Sequence, residues 1–431
     1  MSIELMALFL LGGLVILLAI GIEVFAAVGI TAVIGMLFIA GQPLTQFPQT
    51  AFKSANSFDL AALPLFIFMG TMFSNTGVAR SLFEAADKWF GVLPGGLVSS
   101  VIGVNGIFGA ICGSAAAATA TFGKLTYPEF ERLGYDPKLA LGALAAGGVL
   151  SAAIPPSATM IVYGAWSDTS VPRLFAAILI PGIMLALLFM LTVIIRVKLN
   201  PNLVPKPPKS TLGERLIAIR DLLPWIGTIV VVLGVIFGGI MTPTESAALG
   251  AALSIILSVA YRRMSFTALK ESMWTAIKIT SMFIFLFFTA QMLTVVFVYM
   301  GITESVSAFL LNMPFGDYGI IAAIAIIYLV GGMFIEDWTL LLLTIPFILP
   351  VIRELGFTNV WFGAWFTIWG IAGVITPPFG LCLFVLHSVV PKHDIITIAL
   401  GAWPFVIPMI IMGILLVIFP QLALWLPNLL Y

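Results

Sequence analysis

Long apolar stretches alternate with short polar segments along the whole chain. A helix of about 20 apolar residues is long enough to cross the hydrocarbon layer of a bilayer. The pattern therefore predicts an all-α polytopic membrane protein. Simple transmembrane helices are predicted at residues 5–21, 24–40, 60–75, 172–197, 222–240, 245–261, 279–300 and 395–420.

The apolar stretches form two similar series, and the second series follows the first by 222 residues. At this offset Pro155-Pro156 superposes on Pro377-Pro378, and Glu-Arg-Leu-Gly-Tyr at 131–135 superposes on Arg-Glu-Leu-Gly-Phe at 353–357. Repeats of membrane-length segments are typical of secondary transporters with inverted repeats. The predicted organisation is a first repeat at 1–197, a linker at 198–221 and a second repeat at 222–431.

In each repeat a proline pair interrupts one apolar stretch, at residues 139–164 and 361–388. Proline removes a backbone donor and blocks the helix, so carbonyls are freed. At membrane depth such a backbone occurs only where it is buried in protein or lines a polar cavity. A kink that merely helps helices to pack is the alternative.

A further block in each repeat, at about 95–123 and 319–350, is too long for one helix and has small or polar residues at its middle. Each is predicted to be a re-entrant hairpin that enters and leaves by the same face. Together with the interrupted helices, these hairpins favour an elevator-type, ion-transporter-like architecture. Segments 76–94 and 301–318 contain amphipathic stretches suited to connecting arms.

Composition supports a membrane location, because 61% of the residues are hydrophobic, 9% are charged and the mean hydropathy is +1.16. Soluble domains have roughly 25% charged residues. The net charge is zero and no basic tract carries interleaved aromatic residues, so no nucleic-acid partner is expected. The chain has no nucleophile elbow, paired-histidine motif or phosphate loop with a lysine, which argues against an enzyme and against ATP as the energy source.

Charge also predicts the orientation. If each hairpin adds no crossing, each repeat crosses five times, and the second repeat is inverted. The linker region 196–221 carries six basic residues and is predicted to be cytoplasmic. Both termini then lie outside, and all but three of the 19 basic residues, Lys53, Arg173 and Arg353, fall on the cytoplasmic side.

Four segments in this order resemble the large membrane subunit of tripartite ATP-independent periplasmic (TRAP) transporters: Ala-Leu-Pro-Leu-Phe-Ile-Phe-Met-Gly at 62–70, Gly-Ala-Ile-Cys-Gly-Ser-Ala at 109–115, Gly-Gly-Val-Leu-Ser-Ala-Ala-Ile-Pro-Pro-Ser at 147–157 and Gly-Val-Ile-Thr-Pro-Pro-Phe-Gly at 373–380. The resemblance implies sodium-driven import of a small organic anion, a carboxylate or sulfonate, across the bacterial inner membrane. It also implies a periplasmic binding protein that delivers the substrate and a small four-span membrane subunit. Both termini would then be periplasmic.

Sodium sites can be predicted at the helix breaks, because freed carbonyls and a few hydroxyls are suitable sodium ligands. The first set is Cys112, Gly113, Ser114, Ser151, Ile154 and Pro156. The second set is Gly332, Glu336, Gly373, Thr376 and Pro378. Cys112 stands where the family commonly has serine, and Ser151 where it commonly has glycine. Because a thiol is a poor sodium ligand, Cys112 is expected to contribute only its backbone.

The substrate is expected between the two breaks, where half-helix N-termini would favour an anion without any arginine. The predicted substrate-binding residues are Ser114, Ala115, Thr119, Ser157, Thr159 and Thr376. For each single hydroxyl the alternative is a hydrogen bond to its own helix.

The remaining polar residues have simpler interpretations. Glu336 and Asp337 lie in an apolar block where charge is costly, so a functional role is the default, with a loop that reaches water as the alternative. Glu23 and Glu245 are expected to cap helices, and His387 to pack. Two other functions remain open: a stand-alone elevator-type sodium/anion symporter and, with less support, an ion channel.

Overall fold

The computed structural model describes residues 3–41, 43–205 and 212–431, and within these ranges every regular element is helical. The prediction of an all-α protein is therefore confirmed. The helices of the first half are α1 (Ile3–Ala19), α2 (Val24–Ile34), α3 (Gln46–Ala55), α4 (Ala62–Asn75), α5 (Val78–Phe90), α6 (Leu97–Cys112), α7 (Ala115–Leu133), α8 (Pro137–Ala153), α9 (Ala158–Ser167) and α10 (Val171–Leu199).

The second half has a matching series. Its helices are α11 (Leu212–Phe237), α12 (Pro243–Ala260), α13 (Phe266–Tyr299), α14 (Ile302–Leu311), α15 (Gly316–Phe334), α16 (Asp337–Glu354), α17 (Asn359–Val374), α18 (Leu381–Val389), α19 (Ile395–Ile418) and α20 (Gln421–Leu430). In the first half α2 continues as a π-helical turn at Gly35–Ile39, and a short 3₁₀ turn at Pro201–Leu203 follows α10.

The helix boundaries follow the 222-residue offset closely. Helix α7 begins at Ala115 and α16 begins 222 residues later at Asp337, and α6 and α15 end at the same offset. Contacts between the halves also occur in exchanged pairs. Helix α4 packs on α12 while its counterpart α13 packs on α2, and α8 packs on α19 while α17 packs on α10. This exchange relates the halves by an approximate two-fold symmetry.

Six helical segments among the described residues are long and apolar enough to cross a membrane: Pro137–Ser167, Val171–Leu199, Pro243–Ala260, Phe266–Tyr299, Gly316–Phe334 and Ile395–Ile418. Helix α10 exposes an apolar stripe with helical spacing, formed by Ile183, Leu187, Leu191 and Ile195, and α19 exposes another from Leu400 to Ile418. Exposed apolar stripes of this extent would be unstable in water and suit contact with lipid.

The helices form two groups that pack against each other. The scaffold group contains α1, α2, α4 and α11–α13, and the core group contains α6–α10 and α15–α19. Within the core group, α8 and α17 are apolar on all sides and almost completely buried, as expected for helices at the centre of a bundle. The two groups meet where α4 contacts α6 and α9, and where α13 contacts α16.

The connecting segments form helices. Helix α5 lies in the first predicted arm and follows α4 after a 72° bend, and α14 lies in the second arm. Helix α11 starts at Leu212 and runs without interruption to Phe237, so the amphipathic end of the predicted linker and the following span are one helix. Glu245 closes a capping box with Thr242, as predicted, whereas Glu23 precedes α2 without a capping hydrogen bond from its side chain.

Candidate functional site

Four helix breaks lie close together in the core group. They separate α6 from α7, α8 from α9, α15 from α16, and α17 from α18. Both proline pairs adopt the cis form, Pro155-Pro156 between α8 and α9 and Pro377-Pro378 between α17 and α18. The breaks therefore fall where the sequence predicted interrupted helices and hairpin tips.

The first proline break faces the α6–α7 break. A Cβ atom on Gly109 would lie 2.6 Å from the Cα of Ser151, and one on Gly113 would lie 3.7 Å from the carbonyl oxygen of Pro156. The Ser151 hydroxyl donates to the Gly148 carbonyl at 2.8 Å. Gly113 and Pro156 of the first predicted sodium set are thus neighbours, and Ser151 of the same set packs against Gly109. The side chain of Cys112 lies outside the described part of the structure.

The second proline break faces the α15–α16 break in the same manner. A Cβ atom on Gly373 would lie 2.5 Å from the Cα of Gly332, so any larger residue would separate the two backbones. The carbonyl oxygens of Val374 and Thr376 converge on Gly380, at 2.9 and 3.0 Å from where its Cβ would be. Thr376 donates its hydroxyl to the Ala372 carbonyl at 2.6 Å, which leaves its oxygen able to accept a further ligand.

A cavity of about 280 Å³ lies between the two helix groups. This volume is near the lower end of the range for small-molecule sites, roughly 300–1,000 Å³. The core group lines it with Gly113, Ser114, Ala115, Ala116, Ala117, Ala152, Ala158, Thr159, Glu336, Asp337, Trp338 and Leu381, and the scaffold group with Ile67, Thr71, Ile279, Met282 and Phe283. It is therefore bounded by residues from both groups of helices.

Four helices begin at the wall of this cavity. The first turn of α7 lines it, as do the first residues of α9, α16 and α18. The first amide groups of a helix have no partner within the helix, and the N-terminus carries roughly half a positive charge. The cavity is thus suited to bind a carboxylate or another small anion through backbone groups.

A hydrogen bond joins the two repeats at the wall of the cavity. The Thr159 hydroxyl, on the first turn of α9, donates to Oδ2 of Asp337 at 2.8 Å, and each residue is only 3% exposed. Asp337 is the first residue of α16, where the helix dipole favours a negative charge. Its carboxylate is therefore held by the protein on two sides.

The predicted substrate residues are divided by the structure. Ser114, Ala115 and Thr159 line the cavity, whereas Thr119, Ser157 and Thr376 lie outside its lining. Thr119 and Ser157 are buried; the Thr119 hydroxyl is within hydrogen-bonding reach of the Cys382 thiol, whereas the Ser157 hydroxyl has no hydrogen-bond partner among the described residues. Ile154 lies in the first break, and because its side chain is apolar, only its backbone could contribute to an ion site. Of the second predicted sodium set, Glu336 lines the cavity, whereas Gly373, Thr376 and Pro378 do not.

Sequence reasoning missed the scaffold wall of the cavity. Its five residues are mostly apolar and lie on the uninterrupted helices α4 and α13. A polar residue in an apolar helix, Thr71, was the available signal, and its hydroxyl donates to the Ile67 carbonyl of the same helix at 2.9 Å. The contact of Asp337 with Thr159 was also missed, because the two residues are 178 positions apart.

Comparison with known proteins gives consistent matches. Residues 11–422 match the family model described as the DctM component of the tripartite ATP-independent periplasmic transporter. A C4-dicarboxylate TRAP transporter large permease protein of Vibrio cholerae is 30% identical over 100% of this chain and 98% of its own. An ectoine/5-hydroxyectoine TRAP transporter large permease protein of Ruegeria pomeroyi is 28% identical over 96% of this chain and 97% of its own.

A solved structure matches the fold at low identity. The YdaH transporter of Alcanivorax borkumensis superposes with a TM-score of 0.55 at 16% identity, and 89% of each chain is covered. At this identity the likeness concerns the fold alone.

Proposed function

Since this chain belongs to the DctM family of tripartite ATP-independent periplasmic transporters, as a large permease subunit and not an enzyme, we propose that it moves a small organic acid across the bacterial inner membrane by sodium-coupled alternating access. The observation that carries this proposal is the cavity between the scaffold and core groups, at which four helix N-termini converge. Relatives are named for C4-dicarboxylates, sialic acid and ectoine, which are all small acids that such backbone groups suit.

The proposed coupling ions bind at the two proline breaks. The first site comprises the Cys112 backbone with Gly113, Ser114, Ser151, Ile154 and Pro156, and the second comprises Gly332, Glu336, Gly373, Thr376 and Pro378. The support is the close approach of Gly113 to Pro156 and of Gly332 to Gly373, together with the two carbonyl oxygens that converge at Gly380. Carbonyl oxygens at a helix break can replace the hydration shell of sodium.

The proposed motion is a displacement of the core group relative to the scaffold group. The cavity has one wall from each group, and the helices α5 and α14 connect the groups at the sites predicted for arms. The proposed partners are a periplasmic binding protein and a small membrane subunit, as the family description implies. One relative is an isethionate TRAP transporter permease protein named DctMQ, and this name combines the two membrane components.

Uptake into proteoliposomes tests the proposal. The chain is reconstituted with its small subunit, the binding protein is added outside, and radiolabelled acids are supplied with an imposed sodium gradient. We expect uptake that needs sodium and continues without ATP. Uptake that is unchanged when potassium or choline replaces sodium would refute the sodium coupling. Full uptake without the binding protein would instead favour a stand-alone symporter.

A further inference from the structure

The cavity is unusual for an anion site because its charged lining is acidic. Among the described residues that surround it, Glu336 and Asp337 carry the only formal charges, and no lysine, arginine or histidine lines it. An adjoining cavity of about 710 Å³ shares Glu336, Met282, Trp338 and Leu381 with it, and the charged residues in that second lining are Glu23 and Glu336. Glu336 therefore stands between two cavities in which all charged side chains are carboxylates.

The two neighbouring carboxylates have different surroundings. Asp337 accepts a hydrogen bond from Thr159 and lies at the first position of α16, so its carboxylate already has a hydrogen-bond donor within the protein. The Glu336 side chain is within hydrogen-bonding reach of the Trp338 side chain, which is a single donor. A carboxylate has about four acceptor positions, so Glu336 can accept further donors from the cavity.

The first turns of α7 and α9 contribute residues 115–117 and 158–159 to the lining, none of them charged, while the carboxylates belong to the α15–α16 break. Asp337 accepts a hydrogen bond from Thr159 in the first turn of α9, so the N-terminus of α9 already faces a carboxylate and the N-terminus of α7 remains for an anion. A carboxylate bound by the amides of α7 would share the cavity with Glu336. A second carboxylate at about 4 Å from an ionised Glu336 would lose roughly a thousandfold in affinity at an effective dielectric constant of about 20.

We propose that the transported acid carries a cationic group, so that the cavity binds a zwitterion whose carboxylate faces the N-terminus of α7 and whose ammonium or amidinium group donates to Glu336. This inference rests on the proposed function and specifies its substrate class. It also moves Glu336 from the second sodium site to the substrate, in agreement with its place in the cavity lining.

The test measures binding to the purified permease in nanodiscs at a fixed sodium concentration. Matched acids of equal chain length are compared by isothermal titration: 3-aminopropanoate with malonate, 4-aminobutanoate with succinate, and 5-aminopentanoate with glutarate, with ectoine as a cyclic amidinium acid. We expect the zwitterions to bind at least tenfold more tightly than the dicarboxylates. In Glu336→Gln, affinity for the zwitterions should fall about tenfold to hundredfold, because a charge-assisted hydrogen bond is lost. Affinity for the dicarboxylates should stay equal or rise.

The control variant is Glu354→Gln, which removes an exposed carboxylate at the opposite end of the same helix α16 and should change neither affinity. Dicarboxylates that bind the unaltered permease as tightly as the zwitterions, or no zwitterion binding at all, would overturn the inference. So would a Glu336→Gln variant that changes only the sodium concentration for half-maximal uptake. Sodium-driven dicarboxylate uptake would in those cases leave the proposed transport function intact.

Discussion

The hydrogen bond between Thr159 and Asp337 provides the sharpest test of how the two repeats are joined. Thr159→Val removes the hydroxyl while it preserves the branched shape of the side chain. The Asp337 carboxylate then loses a donor at 2.8 Å in a position that is 3% exposed. The amide groups at the start of α16 remain and limit the loss.

The size of the effect can be bounded. Hydrogen bonds between helices in bilayers contribute on average about 0.6 kcal/mol. Bonds to charged groups contribute about 1.5–3 kcal/mol. Because the acceptor is a carboxylate that retains other donors, we expect Thr159→Val to lower the free energy of unfolding by about 1.5–2 kcal/mol.

A matched control is Thr367→Val on α17. Thr367 is completely buried, but its hydroxyl donates only to the Gly363 carbonyl of its own helix, at 2.9 Å. That carbonyl keeps its helical hydrogen bond, so the loss should stay below about 1 kcal/mol. The free energies are measured by reversible unfolding in mixed micelles with increasing SDS.

A double-mutant cycle with Asp337→Ala completes the test. We expect a coupling energy of about 1–2 kcal/mol between positions 159 and 337. The reasoning is refuted if Thr159→Val is no more destabilising than the control and the coupling energy is below about 0.5 kcal/mol.

Two further predictions concern the transport cycle. Thr376→Val should raise the sodium concentration needed for half-maximal uptake, because it removes a side-chain oxygen beside the second proline break. The control variant Thr367→Val on α17 should leave this concentration unchanged. If Thr376→Val also leaves it unchanged, Thr376 is excluded as a sodium ligand. A disulfide between cysteines at Ile67 and Ala158, which line the cavity from opposite helix groups, should stop uptake until it is reduced. Cysteines at Thr76, which caps the end of scaffold helix α4, and at Ser258 on scaffold helix α12, whose hydroxyl oxygens are 3.5 Å apart, should cross-link without inhibition. Both pairs require the prior replacement of Cys112 and Cys382, and equal transport by both linked forms would contradict a relative motion of the groups.

Much of the fold could be predicted from the sequence, because the determining signals are local. The proline pairs mark the ends of α8 and α17, since proline cannot continue a helix. The apolar stretches gave the membrane helices, although α13 begins at Phe266, well before the predicted 279. Its first two turns contain Lys270 and Glu271, and these charges hid the helix from a search for apolar runs.

The candidate site was harder to predict, because a cavity depends on which helix faces which. Sequence placed Ser114 and Thr159 near the substrate since both follow a break, and both do line the cavity. Thr119 is on α7, the helix that Ser114 caps, but it lies against Gly148 of α8, where a Cβ atom would be 1.9 Å from its hydroxyl oxygen. The scaffold wall carries no local signal, because the apolar residues of a membrane helix have the same composition whether they face lipid or protein.

The exchanged packing of the two halves has a consequence for biosynthesis. Helix α8 crosses α19 so closely that a Cβ atom on Gly142 would lie 2.0 Å from the Gly401 carbonyl oxygen, and α4 packs on α12. These partners are synthesised more than 150 residues apart. At an elongation rate of about 5–20 residues per second, the first half waits in the membrane for roughly ten seconds or more before its partner helices arrive. The central helix α8, which is surrounded by protein in the finished molecule, must spend that time next to lipid or an insertion factor, and the chain matures only when its last helices are inserted.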